Sequence, residues 1–301
     1  MSSQKHYAAA ISAFVIWGFF SIPLRYLREY SAGEILYFRI VCSLIILIAV
    51  IAFFRRASWR RDFDMLQSLT QDRRRTVIAL TLIGGLLLTV NWLTFIYIVN
   101  NINIKTASFS YLICPVITAV LGYVLISEKM TRLQWIAVAL CAVSCVLIGL
   151  NSALELGYSF LTALTYALYL ISQRRNQGFD RMIVLGFQVA FSLLILTASF
   201  SFLVDTVPTE PRFYWTILFI AAVFTVLPLF LNLFALNRIN SATIGILMYI
   251  NPIFNFAIAF LVFNETISPI QIVGYLIIFS ALIVFNYAYL RQASLHALGR
   301  G

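Results

Sequence analysis

The chain has 301 residues, of which 62% are hydrophobic and only 11% charged. A soluble core of this size cannot hide that much apolar surface, whereas a bilayer accepts it in runs of about 20 residues. The net charge of +10 does not point to nucleic acid, because the basic residues cluster at the ends of apolar runs, as membrane topology requires.

Ten such runs follow in order, at about 7–27, 34–54, 77–99, 106–127, 133–151, 155–173, 181–204, 213–236, 242–264 and 269–290. Each is too long for a barrel strand and lacks alternating polarity, so an all-α polytopic membrane protein of ten transmembrane helices is predicted. The first run follows Lys5 and shows no clear small-residue cleavage site, so it reads as a retained helix and not a signal peptide. With the N-terminus cytoplasmic, 16 Lys and Arg residues fall on the inner side and four (Arg25, Arg28, Lys105 and Arg212) on the outer, with Arg39 inside a span. This split predicts that both termini are cytoplasmic. Between the second and third runs, the basic segment 55–76 places Trp59, Phe63, Leu66 and Thr70 at helical spacing, which predicts a short helix on the inner membrane surface. Such a helix acts either as a topological anchor or as an anionic-lipid or partner contact. The tail from Arg291 is expected to fray.

An internal repeat organises these spans. At a gapless offset of 137, residues 100–134 align with 237–271, matching Asn100/Asn237, Asn103/Asn240, Thr106/Thr243, Pro115/Pro252, Glu128/Glu265 and Gln134/Gln271. Shared hydrophobicity does not explain six matches at Asn, Thr, Pro, Glu and Gln. A weaker echo at offset 149 sets Trp17–Arg25 over Tyr166–Arg174, and the 12-residue difference puts an insertion in the first half, at 55–76. The predicted units are 1–151 and 152–301, five spans each. An odd span number forces the second unit to insert inverted, an arrangement associated with alternating access to a site near the midplane.

Candidate site residues follow from polarity inside the spans. Pro115 and Pro252 lie near the centres of spans 4 and 9 and free the carbonyls of Tyr111 and Met248, giving either packing kinks or a shared wet interior. Asn251 and Asn255 flank the second kink. Arg39 sits about five residues into span 2, roughly 7–8 Å deep. It is either a snorkelling anchor or a bidentate contact for an anionic group. Glu34 is a poor partner for it, because a five-residue gap separates the two by about 140° around the helix. Asn91 beside Trp92 needs a hydrogen-bond partner in hydrocarbon. Trp17, Trp92, Tyr97, Tyr111, Tyr166, Tyr169 and Tyr249 are either pocket walls or lipid-facing rings. Glu34, Glu128, Glu155 and Glu265 all lie at span ends, so no deep carboxylate relay is visible; Glu128 and Glu265 read as helix-end caps or gating contacts. Gly84-Gly85 permits close helix approach. Cys42, Cys114, Cys141 and Cys145 fall in spans without a CxxC pair and read as small hydrophobes. Asn264-Glu265-Thr266 fits the glycosylation pattern only weakly. No catalytic set, phosphate loop, metal motif or cofactor motif is present, so the chain does not read as an enzyme.

Asn91-Trp92-Leu93, Phe95-Ile96, Val99-Asn100-Asn101, Ala107-Ser108, Tyr111, Pro115, Val120-Leu121-Gly122, Glu128 and Gln134-Trp135 resemble the RarD group of the EamA family, within the drug/metabolite transporter superfamily. Glu34-Ile35-Leu36 with Arg39, and Tyr249-Ile250, Pro252 and Glu265, extend the likeness along the chain. The resemblance implies two inverted EamA repeats, a bacterial inner-membrane location and small-molecule transport, in a group associated with chloramphenicol sensitivity and metabolite export. RarD-type proteins usually carry His before the span-2 arginine, where this chain has Phe38. The expected function is therefore a secondary transporter, an exporter of a small polar or amphipathic metabolite or drug. Its expected contacts are Arg39, Asn91, Trp92, Tyr111, Asn251, Asn255, Trp17 and Tyr249. Its partners are the substrate and the bilayer, with room for a homo-oligomer. The alternative is a membrane scaffold or receptor that moves nothing, for which a dry, close-packed interior is expected.

Overall fold

A computed structural model describes residues 2–176, 178–204, 206–236 and 247–298. Among these, nine helices are long and apolar enough to cross a bilayer, and Ile250–Leu261 is a shorter apolar helix. Residues 242–246, the start of the predicted ninth span, lie outside the described residues.

The first span is two helices, α1 (Ser2–Gly18) and α2 (Ser21–Tyr26), and not the single one expected. Pro23 has no N–H to offer the Phe19 carbonyl, which accepts instead from Ile22 N at 3.1 Å, and the chain turns there. Helix α3 (Ala32–Phe54) starts at a reciprocal capping box between Ser31 and Glu34. Helix α4 (Arg56–Ser68) is the helix expected in the basic insertion. Helix α5 (Gln71–Tyr97) begins before the predicted boundary, so Arg73–Arg75 are helical, and it ends in a π-turn at Ile98–Ile102. Then come α6 (Ile104–Ile126), α7 (Arg132–Asn151), α8 (Ala153–Arg175), α9 (Arg181–Ala198) and the single turn α10 (Phe200–Leu203). Span 8 is α11 (Pro211–Phe219), a π-segment at Ile220–Val226, and α12 (Leu227–Leu236). Helices α13 (Ile250–Leu261) and α14 (Pro269–Leu298) finish the described chain, so most of the tail expected to fray is helical.

The repeat extends to the backbone. Ser127 and Asn264, 137 residues apart, are the two non-glycine residues with positive φ (56° and 50°) among the described residues. Each ends a helix closed by an equivalent bond: Glu128 N donates to Gly122 O at 3.1 Å, and Glu265 N to Ala259 O at 2.9 Å. Each is followed by a repeat-related cap, Thr131 with Gln134 and Ser268 with Gln271. At the other offset, Ser31 caps α3 and Asp180 caps α9.

Packing obeys the same pseudo-symmetry and runs mostly between the halves. α6 packs on α8 as α13 packs on α1, and α5 packs on α8 as α12 packs on α1. α7 with α14, and α3 with α9, pair repeat-related helices directly. The fold is thus two inverted five-helix repeats that interlock instead of meeting at one flat seam. The Gly84-Gly85 pair serves this: a Cβ on Gly84 would lie 2.5 Å from Gln188 Nε2, and one on Gly85 would lie 3.0 Å from Gln188 O.

Candidate functional site

Because α3 begins at Ala32, Arg39 is deeper than the sequence boundary implied, about 12 Å along the helix from its cap. Its side chain does not snorkel; only 3% of the residue is exposed. The guanidinium lies between the rings of Phe20 and Trp92, 4.9 Å from each centroid. Nε donates to Thr225 Oγ1 at 3.0 Å, while Nη1 is buried without a hydrogen-bond partner. Glu34 is occupied elsewhere, its carboxylate accepting from Ser31 N at 2.9 Å in the capping box.

Thr225 reaches Arg39 from the π-segment of span 8, a local widening of the helix. Two of its carbonyls accept from side chains: Trp17 Nε1 donates to Phe224 O at 3.0 Å, and Thr225 Oγ1 donates to Ile220 O at 3.3 Å. Trp17 therefore helps to hold the segment that carries Thr225.

Aromatic rings extend the site away from the arginine. Phe20 stacks on Phe95 and on Phe224, Phe95 meets Tyr111 edge-on, and Tyr111 meets Tyr166. The Tyr111 hydroxyl donates to Asn91 Oδ1 at 3.3 Å, and Asn91 Nδ2 donates to Thr162 O at 2.8 Å. The amide is thus satisfied across the two halves. Tyr111 is linked to Arg39 through the rings of Phe95 and Phe20. Arg39, Trp92, Tyr111 and Asn91 therefore form one group.

The second-half candidates lie elsewhere. Asn255 Nδ2 donates to Asn251 Oδ1 at 2.7 Å, and both sit on α13, which packs on α1 and α6. Tyr249 belongs to a separate apolar cluster with Phe256, and Trp17 to a third with Met248 and Ile250. Pro115 lies inside a continuous α6, whereas Pro252 is in the first turn of α13, just after a turn at Met248–Tyr249. The Met248 carbonyl freed by Pro252 accepts from Asn251 N at 3.2 Å.

The helix-end glutamates join the halves. Glu265 pairs with Arg25 at 3.1 Å and caps α6 of the other half, accepting from Ile104 N at 2.7 Å and Lys105 N at 3.1 Å. Lys105 Nζ in turn donates to Thr266 O at 2.6 Å. At the opposite ends of these spans, Glu128 pairs with Arg174 at 2.7 Å. The two ion pairs are repeat mates, Glu128 with Glu265 at offset 137 and Arg25 with Arg174 at offset 149, and each crosses between the halves. They differ in shielding: the side chains of Arg25 and Glu265 are 18% and 11% exposed, those of Arg174 and Glu128 47% and 44%.

Sequence reasoning missed Phe20, Thr225, Arg25, Arg174 and Gln188 as members of these arrangements. The offset of 149 pointed to Arg25 and Arg174; no local signal marks Phe20 or Thr225. Among the described residues, one apolar groove of about 360 Å³ lies beside Phe19, Ile22 and Phe219, and another of about 190 Å³ lies beside Phe256, Tyr275 and Phe279. Neither is lined by Arg39, which is sealed from solvent in this conformation. A sealed interior is what the scaffold reading expects, but an orphaned buried guanidinium N–H is not what a dry scaffold needs.

Two interlocked inverted repeats, with polar groups buried where they meet, define a multi-pass helical membrane protein of the transporter class. Comparison with known proteins supplies the family. The EamA-like transporter family matches twice, over residues 4–150 and 154–287, and the chain belongs to it. It is 31% identical to an uncharacterized transporter of Vibrio cholerae over 94% of this chain and 92% of that one. It is 28% identical to the uncharacterized transporter YojE of Bacillus subtilis, covering 93% and 92% of the two chains. It is also 28% identical to Protein RarD of Escherichia coli, covering 92% of each. A protein of known crystal structure shares the fold with a TM-score of 0.61 at 13% identity, over 95% of this chain and 98% of that one.

Proposed function

We propose that this protein is a secondary transporter that exports a small polar or amphipathic metabolite or drug across the bacterial inner membrane by alternating access, with both termini cytoplasmic. The observation that carries the reading is the pair of repeat-related ion pairs, Arg25–Glu265 and Arg174–Glu128, at opposite ends of the interlocked spans. A carrier needs a closure on each side that can open while the other holds, and an inverted repeat supplies two from one motif. In this reading the conformation described here is occluded, with both latches shut.

The inequality of the latches supports export. The Arg174–Glu128 pair is nearly half exposed, and exposed pairs contribute only about 0–1 kcal/mol. Glu265 is more shielded and also holds two backbone N–H groups of α6. The weaker latch lies on the side assigned to the cytoplasm by the positive-inside pattern, so the carrier loads from there more readily. Arg39 contacts the substrate, Asn91 and Tyr111 supply hydrogen bonds, and Trp92 stacks on it; Asn251, Asn255, Trp17 and Tyr249 line the second half of its path. Glu34 keeps its place at the start of α3.

The test is transport by purified protein in proteoliposomes against a metabolite library. Loss of flux in Arg39→Gln and Asn91→Ala, both folded, supports the assignment; unchanged flux of the same compound in both variants defeats it. The second reading, a scaffold, draws on the sealed interior around Arg39. Failure of every latch variant to change cysteine-reagent access from either side favours that reading.

A further inference from the structure

Arg39 is a permanent charge inside the bundle, and no carboxylate among the described residues pairs with it. Its compensation consists of two ring faces and one threonine hydroxyl. Burying a charge is unfavourable unless it is paired and hydrogen-bonded, and one guanidinium nitrogen here has neither. The sequence has 11 acidic residues, and none lies in the interior of a membrane-spanning helix. The nearest along α3, Glu34, is held by its cap.

The repeat adds a second fact. Arg39 lies eight residues after the cap Ser31, and Gln188 lies eight after the cap Asp180, so the two occupy one position of the repeat, 149 residues apart. Gln188 is fully buried, and neither its Oε1 nor its Nε2 has a hydrogen-bond partner. One half therefore offers a cation at this position and the other a neutral amide, so the repeat pair carries a single positive charge.

We propose that the substrate is a small organic monoanion with an aromatic or apolar body, bound through its anionic group to Arg39, and that the site rejects cations and zwitterions. The buried, unpartnered Nη1 of the guanidinium takes the anion once the bundle opens. The rings of Phe20, Trp92 and Phe95 take the body, and Gln188, packed beside Gly84 and Gly85, adds no second charge. An ammonium group brought beside Arg39 is repelled and finds no carboxylate there. The proposal rests on the substrate-binding role given to Arg39 above, and it narrows the broad metabolite class of that reading.

A matched trio tests it: 3-phenylpropanoate, phenethylamine and phenylalanine carry similar bodies and differ in charge. Thermal unfolding of the full-length protein in detergent is followed with each compound at about 10 mM, because a ligand that binds the folded state raises Tm. The anion is expected to raise Tm and the other two are not. Arg39→Gln is expected to abolish the shift and Arg39→Lys to retain part of it. Trp92→Leu, which keeps the charge, weakens binding of the anion by about tenfold and serves if Arg39→Gln does not fold. The proposal is overturned by no shift with 3-phenylpropanoate, by an equal shift with either other compound, or by a full shift in the Arg39→Gln or Trp92→Leu protein. Binding of the anion without flux in proteoliposomes faults the transport reading and leaves the anion site standing.

Discussion

Glu265 Oε1 stands 3.1 Å from Arg25 Nη2 and 2.7 Å from the backbone nitrogen of Ile104, so one carboxylate oxygen ties the end of span 1 to the start of span 4. Its repeat mate, Glu128, has an ion pair of similar chemistry in a more exposed setting. Removing Glu265 leaves a partly shielded cation and two helix-start N–H groups unpaired. Glu265→Ala is expected to cost about 2–4 kcal/mol and Glu128→Ala less than about 1 kcal/mol. Thermal melts of the two variants in the same detergent check this; equal losses would contradict the difference in shielding.

Thr225 is the only protein group that accepts a hydrogen bond from the Arg39 side chain among those described. Thr225→Val keeps the shape and deletes the acceptor, leaving a second buried guanidinium N–H without a partner. A loss of about 1.5–3 kcal/mol is expected, the range for hydrogen bonds to charged groups. Thr118→Val is the control, because that hydroxyl bonds only locally, to Cys114 O at 2.8 Å and beside its sulfur. If the two variants melt together, Thr225 does not anchor the arginine.

Gly33 and Gly157 make opposite predictions for one substitution. A Cβ at Gly33 would overlap the backbone oxygen of Leu203, so the start of α3 or the end of α10 must move. Gly33→Ala is expected to destabilise by about 1–3 kcal/mol. At Gly157, on an exposed face of α8, nothing lies within 4 Å, and Gly157→Ala is expected to stabilise by about 0.5–1 kcal/mol through reduced chain entropy. Paired melting curves read both signs at once.

Asp62 holds α4 in place. Its Oδ2 accepts from Asp180 N at 2.6 Å, at the cap of α9, while Trp59 stacks on Phe187 with centroids 5.4 Å apart. The insertion is therefore tied to the second half of the protein. Asp62→Ala is expected to speed tryptic cleavage between Arg55 and Arg75 several-fold without lowering the main melting transition, as local unfolding does. Limited proteolysis followed by mass spectrometry of the fragments reads it; an unchanged cleavage rate would mean that α4 is held by other contacts.

The departures from the sequence reading have local causes that periodicity does not register. The break at Phe19 comes from Pro23, visible in the sequence but hidden in an unbroken apolar run. Arg39 lies deeper than hydropathy implies because Ala32 and Gly33, small residues with little hydrophobic signal, already belong to the capped helix α3. The π-segment at 220–226 has no such mark; it became visible only with Trp17 and Thr225 bonding its carbonyls.

The sequence by itself determined the membrane class, the ten spans and the inverted repeat. Hydropathy acts within a short run of chain, and the repeat is a comparison of the chain with itself. Tertiary structure alone decided that Phe20, Trp92 and Thr225 surround Arg39, and that Arg25 meets Glu265 across 240 residues. Those contacts depend on how two interlocked halves bring distant turns together, and no short-range pattern encodes which side chains then face one another.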